Sequence, residues 1–152
     1  MVSGTAKRKK DDPVRQFSIF LENKVGRFID IISLLESRGT HVMAVTVLDT
    51  TDSSIVRLIL DDPDRGRALF DEHYIPYTES EILAVELNAV TDLQKILATL
   101  LQAEINILYM YSFLDRPRSK LALILKVDDF ECATQALLNN QFRVLFQRDI
   151  SR

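Results

Sequence analysis

Hydrophobic positions change their period several times along the chain, and each change predicts a new element. Apolar residues alternate in the segment that begins at Val14, which predicts a strand with one apolar face: Phe17, Ile19 and Leu21. The next apolar residues recur at helical spacing and predict a helix that ends near Arg38: Phe28, Ile31, Ile32 and Leu35. Gly39 follows as the C-cap, because a left-handed backbone costs glycine least.

The rest of the first half alternates in the same way. Asp62 is placed to cap a helix that has Pro63 at its first position. Strands are predicted where β-branched and apolar residues cluster, and Pro76 makes the last of them short: His41–Leu48, Ser54–Leu60 and Ile75–Thr78.

The second half repeats this order of elements. Leu21-Glu22-Asn23, which precedes the first helix, recurs as Glu86-Leu87-Asn88, and Leu60-Asp61-Asp62 recurs as Val127-Asp128-Asp129. The predicted strands of this half are Ile82–Leu87, Ile105–Leu114, Leu121–Val127 and Phe142–Phe146. One helix is predicted to begin with a capping box and the other with a capping acid: Thr91 with Gln94, and Asp128 or Asp129.

Each half therefore reads βαββαβ, the ferredoxin-like arrangement, and the predicted fold class is α+β. Four antiparallel strands in each unit would carry two helices on one face. We expect a disordered tail at residues 1–12, a first unit at 13–79 and a second unit at 80–152, joined through 79–81 without a flexible linker.

Several strands are apolar on both faces, and helices can cover only one of them. The other half, a second copy of the chain or a partner must cover the remaining face. We expect a homodimer, with these aromatic residues as candidate contacts: Tyr109, Tyr111 and Phe113.

Composition and charge exclude several classes of protein. The net charge of the chain is −3, and this total includes four positive charges in the tail: Lys7, Arg8, Lys9 and Lys10. The folded body is therefore more acidic than the total suggests, which makes it a poor candidate for nucleic-acid binding. The third strand of each half carries no aromatic residue, which argues further against an RNA-recognition module. No apolar run reaches transmembrane length, and no membrane association is expected. We expect a cytoplasmic protein.

The sequence lacks a catalytic constellation, so we expect no enzyme, no metal and no cofactor. His41 and His73 are not at metal-ligand spacing. The single cysteine, Cys132, lies next to the apolar face of a predicted helix and is predicted to be a buried or half-buried thiol rather than a nucleophile. The paired acids at helix starts are better explained by capping than by acid–base catalysis.

The first strand-to-helix turn is the candidate binding site. Gly26 opens the backbone where the first helix presents unpaired N–H groups, and such a helix end attracts a carboxylate. Asn23 could cap or bind, and Lys24 adds a positive charge. Physical reasoning on these residues alone favours a plain glycine turn.

The segment Leu21-Glu22-Asn23-Lys24-Val25-Gly26-Arg27-Phe28 resembles the opening of an ACT domain, and Ser37-Arg38-Gly39-Thr40-His41-Val42 resembles the start of its second strand. Gln102-Ala103-Glu104-Ile105-Asn106-Ile107 is similar in the second half. The stretch from Val14 to Phe146 resembles the stand-alone tandem ACT proteins, through Asp49-Thr50-Thr51-Asp52, Arg57 and Asn106-Ile107-Leu108-Tyr109-Met110-Tyr111.

The resemblance implies a non-catalytic regulatory protein that senses an amino acid or a similar small ligand between paired ACT units. It places the ligand near the first loop of one unit. Residues at the start of the second strand of a neighbouring unit would contact the ligand across the interface, and two acids are further candidates to bind its ammonium group. The implied ligand-binding residues are Asn23, Lys24, Val25, Gly26, Arg27, His41, Val42, Asn88, Asn106 and Ile107, with Asp49 and Asp52 as the further candidates.

The chain departs from the family pattern at three places. Val25 stands where the usual residue is proline, Ser53-Ser54 replaces an aromatic and a glycine, and the second loop, residues 88–92, has no glycine. The alternative is an interaction subunit that resembles acetolactate synthase regulatory subunits and binds a partner enzyme without a ligand of its own.

Overall fold

The structure is a computed structural model that describes residues 12–22 and 26–151. The predicted tail lies outside these residues except for Asp12. The described elements, in chain order, are β1 (Val14–Glu22), α1 (Arg27–Ser37), β2 (Val42–Asp49), β3 (Ser53–Leu60), α2 (Pro63–Glu72), β4 (Tyr77–Leu87), α3 (Asp92–Gln102), β5 (Ile107–Ser112), a 3₁₀ turn (Pro117–Ser119), β6 (Leu121–Val127), α4 (Phe130–Asn139), β7 (Val144–Leu145) and α5 (Gln147–Ile150).

The strands form one antiparallel sheet with the order β2-β3-β1-β4-β6-β5, and β7 pairs with β4. Strands β2-β3-β1-β4 have the ferredoxin-like order, and β5-β6-β4-β7 have it again in the second half. The predicted fold class, two ferredoxin-like units in tandem, is therefore confirmed.

The long strand β4 serves both units. Its first part, residues 77–82, pairs with β1, and its last part pairs with β6 and β7. The two strands predicted at Ile75–Thr78 and Ile82–Leu87 are thus one strand, which starts just after Pro76 because proline cannot donate to a sheet ladder. The predicted unit boundary between residues 79 and 80 falls inside this strand and stays a prediction.

Two hydrophobic cores lie between the sheet and helices α1–α4, one in each half. In the first half α1 contributes Ile31 and Leu35 against β1 and β3, and in the second half α3 contributes Ile96 and Leu100 against β4. Phe28, predicted on the apolar face of α1, is instead 38% exposed.

A third core covers the opposite face of the sheet and draws on both halves. It includes Ala44 and Ile59 from the first unit and Ala84 and Ile124 from the second. The sheet curls until its two outer strands meet, where Leu114 N donates to Met43 O at 2.8 Å. The second apolar face is therefore covered by the other half of the chain, one of the three predicted alternatives. Residues expected at a dimer contact pack against this internal core: Tyr109, Tyr111 and Phe113.

Helix caps follow the prediction at two starts and depart from it at a third. Asp62 and Asp129 cap α2 and α4 by accepting from the backbone N–H three residues on. The predicted capping box at α3 is wrong, because Thr91 makes no side-chain cap. Asp92 Oδ2 instead accepts from Asn88 N at 2.9 Å and Ala89 N at 3.3 Å, which satisfies loop donors rather than helix donors. The short helix α5 was not predicted.

Candidate functional site

The first strand-to-helix turn ends at a left-handed glycine. Gly26 has φ +90°, and its carbonyl accepts from Asp30 N at 3.0 Å as α1 begins at Arg27. No atom of residues 12–22 or 26–151 lies within 4 Å of the position that a Cβ would take at Gly26, so these residues leave the helix end open. Three of the predicted site residues lie outside the described residues: Asn23, Lys24 and Val25.

The two predicted strand starts, His41 and Asn106, are held by equivalent acids. His41 N donates to Asp61 Oδ1 at 2.8 Å, and its Nδ1 lies 2.7 Å from Asp61 Oδ2. Asn106 N and Nδ2 each donate to Asp128 at 3.1 Å. The repeated Asp-Asp pairs therefore have two tasks, since the first acid fastens a strand start and the second caps a helix. This role of the first acid was missed in the sequence.

The predicted site residues of one unit fall at opposite ends of it. Gly26 is at the start of α1 and His41 follows its end, and a helix of 11 residues is about 16 Å long. The further candidates Asp49 and Asp52 lie at the Gly26 end, because the end of β1 pairs with Ser53. Asp49 Oδ1 accepts from Ser54 Oγ at 2.9 Å. Val42 and Ile107 are paired in strands, opposite Leu60 and Val127.

Arg27 borders a shallow cavity of about 260 Å³ between α1 and the end of α2. The other polar residues around it are Asp30, His73 and Tyr74. The cavity lies against the first turn of α1, so Arg27 and His73 border the same open space.

Asn88 lies in a different, charged cleft of about 240 Å³ in the second unit, and its Oδ1 accepts from Lys120 Nζ at 3.0 Å. Glu86, Arg118 and Arg143 also line this cleft. Asp149 on α5 lies 3.7 Å from Arg143 and 3.9 Å from Arg118. The cleft thus combines three cations with one buried acid.

Glu86 is only 8% exposed, and one of its carboxylate oxygens is unpaired. Its Oε2 lies 3.6 Å from Arg143 Nε, whereas Oε1 has no hydrogen-bond partner in the described part of the chain. The sequence reasoning missed this residue because it aligned Glu86 with Leu21. Burial instead aligns Leu87 with Leu21, both on the helix side of the sheet, so Glu86 corresponds to Phe20. A charge among the apolar inward positions Ile82 and Ala84 was the available signal.

A polar cluster on the covered face of the sheet joins the two units. Gln16 Nε2 donates to the Tyr109 hydroxyl at 2.7 Å, and the Tyr111 hydroxyl donates to Gln16 Oε1 at 2.6 Å. The Arg57 guanidinium lies 3.9 Å from the centre of the Tyr109 ring, a cation–π contact. Burial raises the pKa of Tyr111, which keeps its hydroxyl a donor. We refer to Gln16, Tyr109 and Tyr111 as the glutamine clasp.

Cys132 is exposed, so the prediction of a buried or half-buried thiol is wrong. It lies on α4 beside the buried position Ala133, one residue away from the face that packs on the sheet. A hydrogen bond with Asp129 raises the pKa of the Cys132 thiol, with the charge of that carboxylate acting in the same direction. A raised pKa lowers the thiolate fraction, which makes this cysteine a poor nucleophile.

Neither a metal cluster nor a membrane span is found within residues 12–22 and 26–151. No three His, Cys, Asp or Glu side chains there are grouped so that they could hold a metal ion. No helix in the same part of the chain is long and apolar enough to cross a membrane.

Solved structures share this fold. Protein BT0572 from Bacteroides thetaiotaomicron superposes with a TM-score of 0.84 at 23% identity, covering 95% of this chain and 99% of that one. The ligand-free regulatory subunit of aspartate kinase from Thermus thermophilus gives 0.57 at 12% identity, over 85% and 93% of the two chains. A structure of aspartokinase alpha and beta subunits gives 0.54 at 14% identity, with the same coverage.

No curated protein sequence matches the chain. The ACT domain pair family, in contrast, matches residues 13–152, which is nearly the whole sequence. The match covers both ferredoxin-like units, from the residue before β1 to the C-terminus. The resemblance seen in the sequence is thereby confirmed, and the chain belongs to the ACT domain pair family.

Proposed function

We propose that this protein is a non-catalytic regulator that senses an amino acid through its paired ACT units in the cytoplasm. The observation that carries the proposal is the ACT domain pair match over residues 13–152. ACT domains are regulatory units, and the proposed ligand class is the one usual for them. The open turn at Gly26 supplies a place where a carboxylate could reach the start of α1.

The proposed site is completed by a second copy of the chain. Within the first unit the length of α1 separates Gly26 from His41 and Val42. Either these two residues of another copy, or Asn106 and Ile107 of a second unit, would therefore be supplied across an interface. Exposed apolar side chains that a second copy could cover include Leu101, which is 76% exposed, and Leu108, which is 61% exposed. Asn23, Lys24, Val25 and Arg27 would surround the ligand on the Gly26 side, with Asp49 and Asp52 nearby.

The test is thermal melting with each of the twenty protein amino acids. A ligand at a hundred times its dissociation constant stabilises by roughly 2.7 kcal/mol, which raises the melting temperature of a chain this size by about 8 °C. Gly26→Val should remove the part of the shift that comes from binding at this turn, because the valine side chain would occupy the place of the ligand carboxylate.

Gly39→Val is the matched control, because Gly39 also has a left-handed backbone (φ +73°) and open space around its Cβ position, at the other end of α1. Both variants should lose similar stability from backbone strain, and only Gly26→Val should lose the ligand. Ala89→Val, in the second loop, should leave this binding intact.

Two outcomes would contradict the proposal. Ligand binding that ignores Gly26→Val but fails in Ala89→Val would move the site to the second unit. A protein that none of the amino acids stabilises would favour the interaction subunit, which binds a partner enzyme without a ligand of its own.

A further inference from the structure

We propose that the charged cleft beside Glu86 is a second binding site, which takes the head group of an α-amino acid. The ammonium group would bind Glu86, and the carboxylate would bind the cations that line the cleft. The proposal shares its ligand class with the proposed function but not its site. Glu86 is on the sheet face opposite the helix-side core that contains Leu87.

The buried Glu86 carboxylate has one oxygen, Oε1, without a hydrogen-bond partner in the described part of the chain. A buried polar atom without a partner is rare in proteins and costly, because the atom has given up its hydrogen bonds to water. The backbone fixes the residue, since Glu86 N donates to Arg143 O at 2.9 Å and the strand pairs Glu86 with Ala122. The last side-chain torsion of glutamate is soft, so Oε1 can turn toward a donor in the cleft. An ammonium group is such a donor.

The side chains around the cleft carry more positive than negative charge. Arg143 lies 3.6 Å from Glu86 and 3.7 Å from Asp149, so the two acids share this one cation, while Arg118 and Lys120 add two more positive charges. Arg118 is 42% exposed in its side chain and meets Asp149 only at 3.9 Å. Lys120 is hydrogen-bonded to a neutral amide, Asn88. Cations with weak or neutral partners at the mouth of a cleft are suited to a carboxylate.

The charges and the volume of the cleft together indicate the class of ligand. A zwitterion is the ligand that matches one buried acid beside several cations, because its two charges satisfy both. The cleft volume of about 240 Å³ is below the roughly 300–1,000 Å³ usual for drug-sized ligands. It is open enough for a small metabolite to enter from solvent. A free α-amino acid is a zwitterion and is small, so it matches the cleft in both charge and size.

The experiment is titration calorimetry on the full chain with L-alanine as the probe. L-lactate and ethylamine serve as analogues of alanine that lack the ammonium and the carboxylate. Glu86→Gln should weaken amino-acid binding by about tenfold to a hundredfold, the range for a lost charge-assisted hydrogen bond. Lys120→Met should weaken binding in the same direction.

Two exposed ion-paired residues outside the cleft give matched controls. Glu81→Gln and Lys95→Met remove the same charges from side chains that are 48% and 71% exposed, and neither should change binding. Glu86→Gln keeps the size of the side chain but removes an ion-pair partner of Arg143, so its melting temperature is measured first to show that the variant is folded.

The cleft variants alone decide this proposal, and Gly26→Val decides the proposed function. If both sites bind, the native chain takes two equivalents and each variant takes one. Amino-acid binding that is unchanged by Glu86→Gln and by Lys120→Met overturns the cleft site even if the first loop binds. Lactate binding as strong as alanine binding would also overturn it, because Glu86 would then have no role.

Discussion

The glutamine clasp offers a direct measure of how firmly the two ACT units are joined. Gln16 is fully buried on β1, while Tyr109 and Tyr111 lie on β5 in the other unit. The amide makes one hydrogen bond to each hydroxyl, at 2.7 Å and 2.6 Å. Few other side-chain bonds described in this structure span so much sequence, so the clasp should affect the stability of both units together.

Tyr111→Phe removes the donor and leaves Gln16 Oε1 buried without this partner. An unsatisfied buried acceptor costs about 1–3 kcal/mol. For 152 residues the entropy of unfolding near the midpoint is roughly 0.3 kcal/mol per kelvin. The melting temperature should therefore fall by about 3–9 °C. The ring of phenylalanine fills the same space, so the loss comes from the hydrogen bond and not from a cavity.

Scanning calorimetry measures this change, and Tyr74→Phe is the control. Tyr74 is 93% exposed, so removal of its hydroxyl should change stability by less than about 0.5 kcal/mol. Combining Tyr111→Phe with Gln16→Leu should cost less than the sum of the two single changes, because the pair is removed together. Equal melting temperatures for Tyr111→Phe and Tyr74→Phe would contradict this prediction.

Two further predictions concern the first core and a helix cap. Phe70 is fully buried, and its ring centre lies 5.5 Å from those of Phe17 and Tyr77, so Phe70→Ala should lower the free energy of unfolding by about 3–5 kcal/mol. Phe20→Ala, at a residue that is 53% exposed, should lower it far less. Similar losses of melting temperature in the two variants would contradict this prediction. A hydrogen bond from Cys132 N lowers the pKa of Asp129 in the folded chain. The cap therefore stabilises the fold at pH above the ordinary carboxyl pKa near 3.9, and this stabilisation is lost as the pH falls through the lowered pKa of the folded state. The melting temperature of Asp129→Asn should depend less on acid pH than that of the native chain, and an unchanged dependence would count against the cap.

Local patterns in the sequence predicted the elements well, because their causes are local. Strand β6 has the predicted bounds, and the caps at Asp62 and Asp129 follow from the position of an acid before a helical run. The contact between β2 and β5 is different, since it depends on how far a seven-stranded sheet curls. No periodicity within a strand specifies that curvature, so the sequence left three alternatives for the second apolar face.

The candidate site was predicted less completely, for a reason that lies in the repeat. Gly26 was found because a glycine before a helix has a local meaning, and its left-handed backbone agrees with that reading. Glu86 was missed because matching letters aligned it with Leu21, whereas the buried faces align Leu87 with Leu21. A shift of one residue moves a strand position to the other face, so the matching letters placed Glu86 on the wrong side of the sheet, although its alternation with Ile82 and Ala84 placed it inward.

The positions that the two units share differ in kind from those that separate them. Asp61 and Asp128 make the same backbone contact at the start of the second strand of each unit, so this contact is common to both units. Phe20 and Glu86 occupy equivalent strand positions and have opposite chemistry, and Gly26 has no glycine counterpart in the second loop. The positions that differ between the units therefore include Gly26 and Glu86, one at each proposed site, whereas His41 and Asn106 are shared positions. We therefore expect the two units to differ as binding sites, and a stoichiometry of two with separate losses in Gly26→Val and Glu86→Gln is the result that would show it.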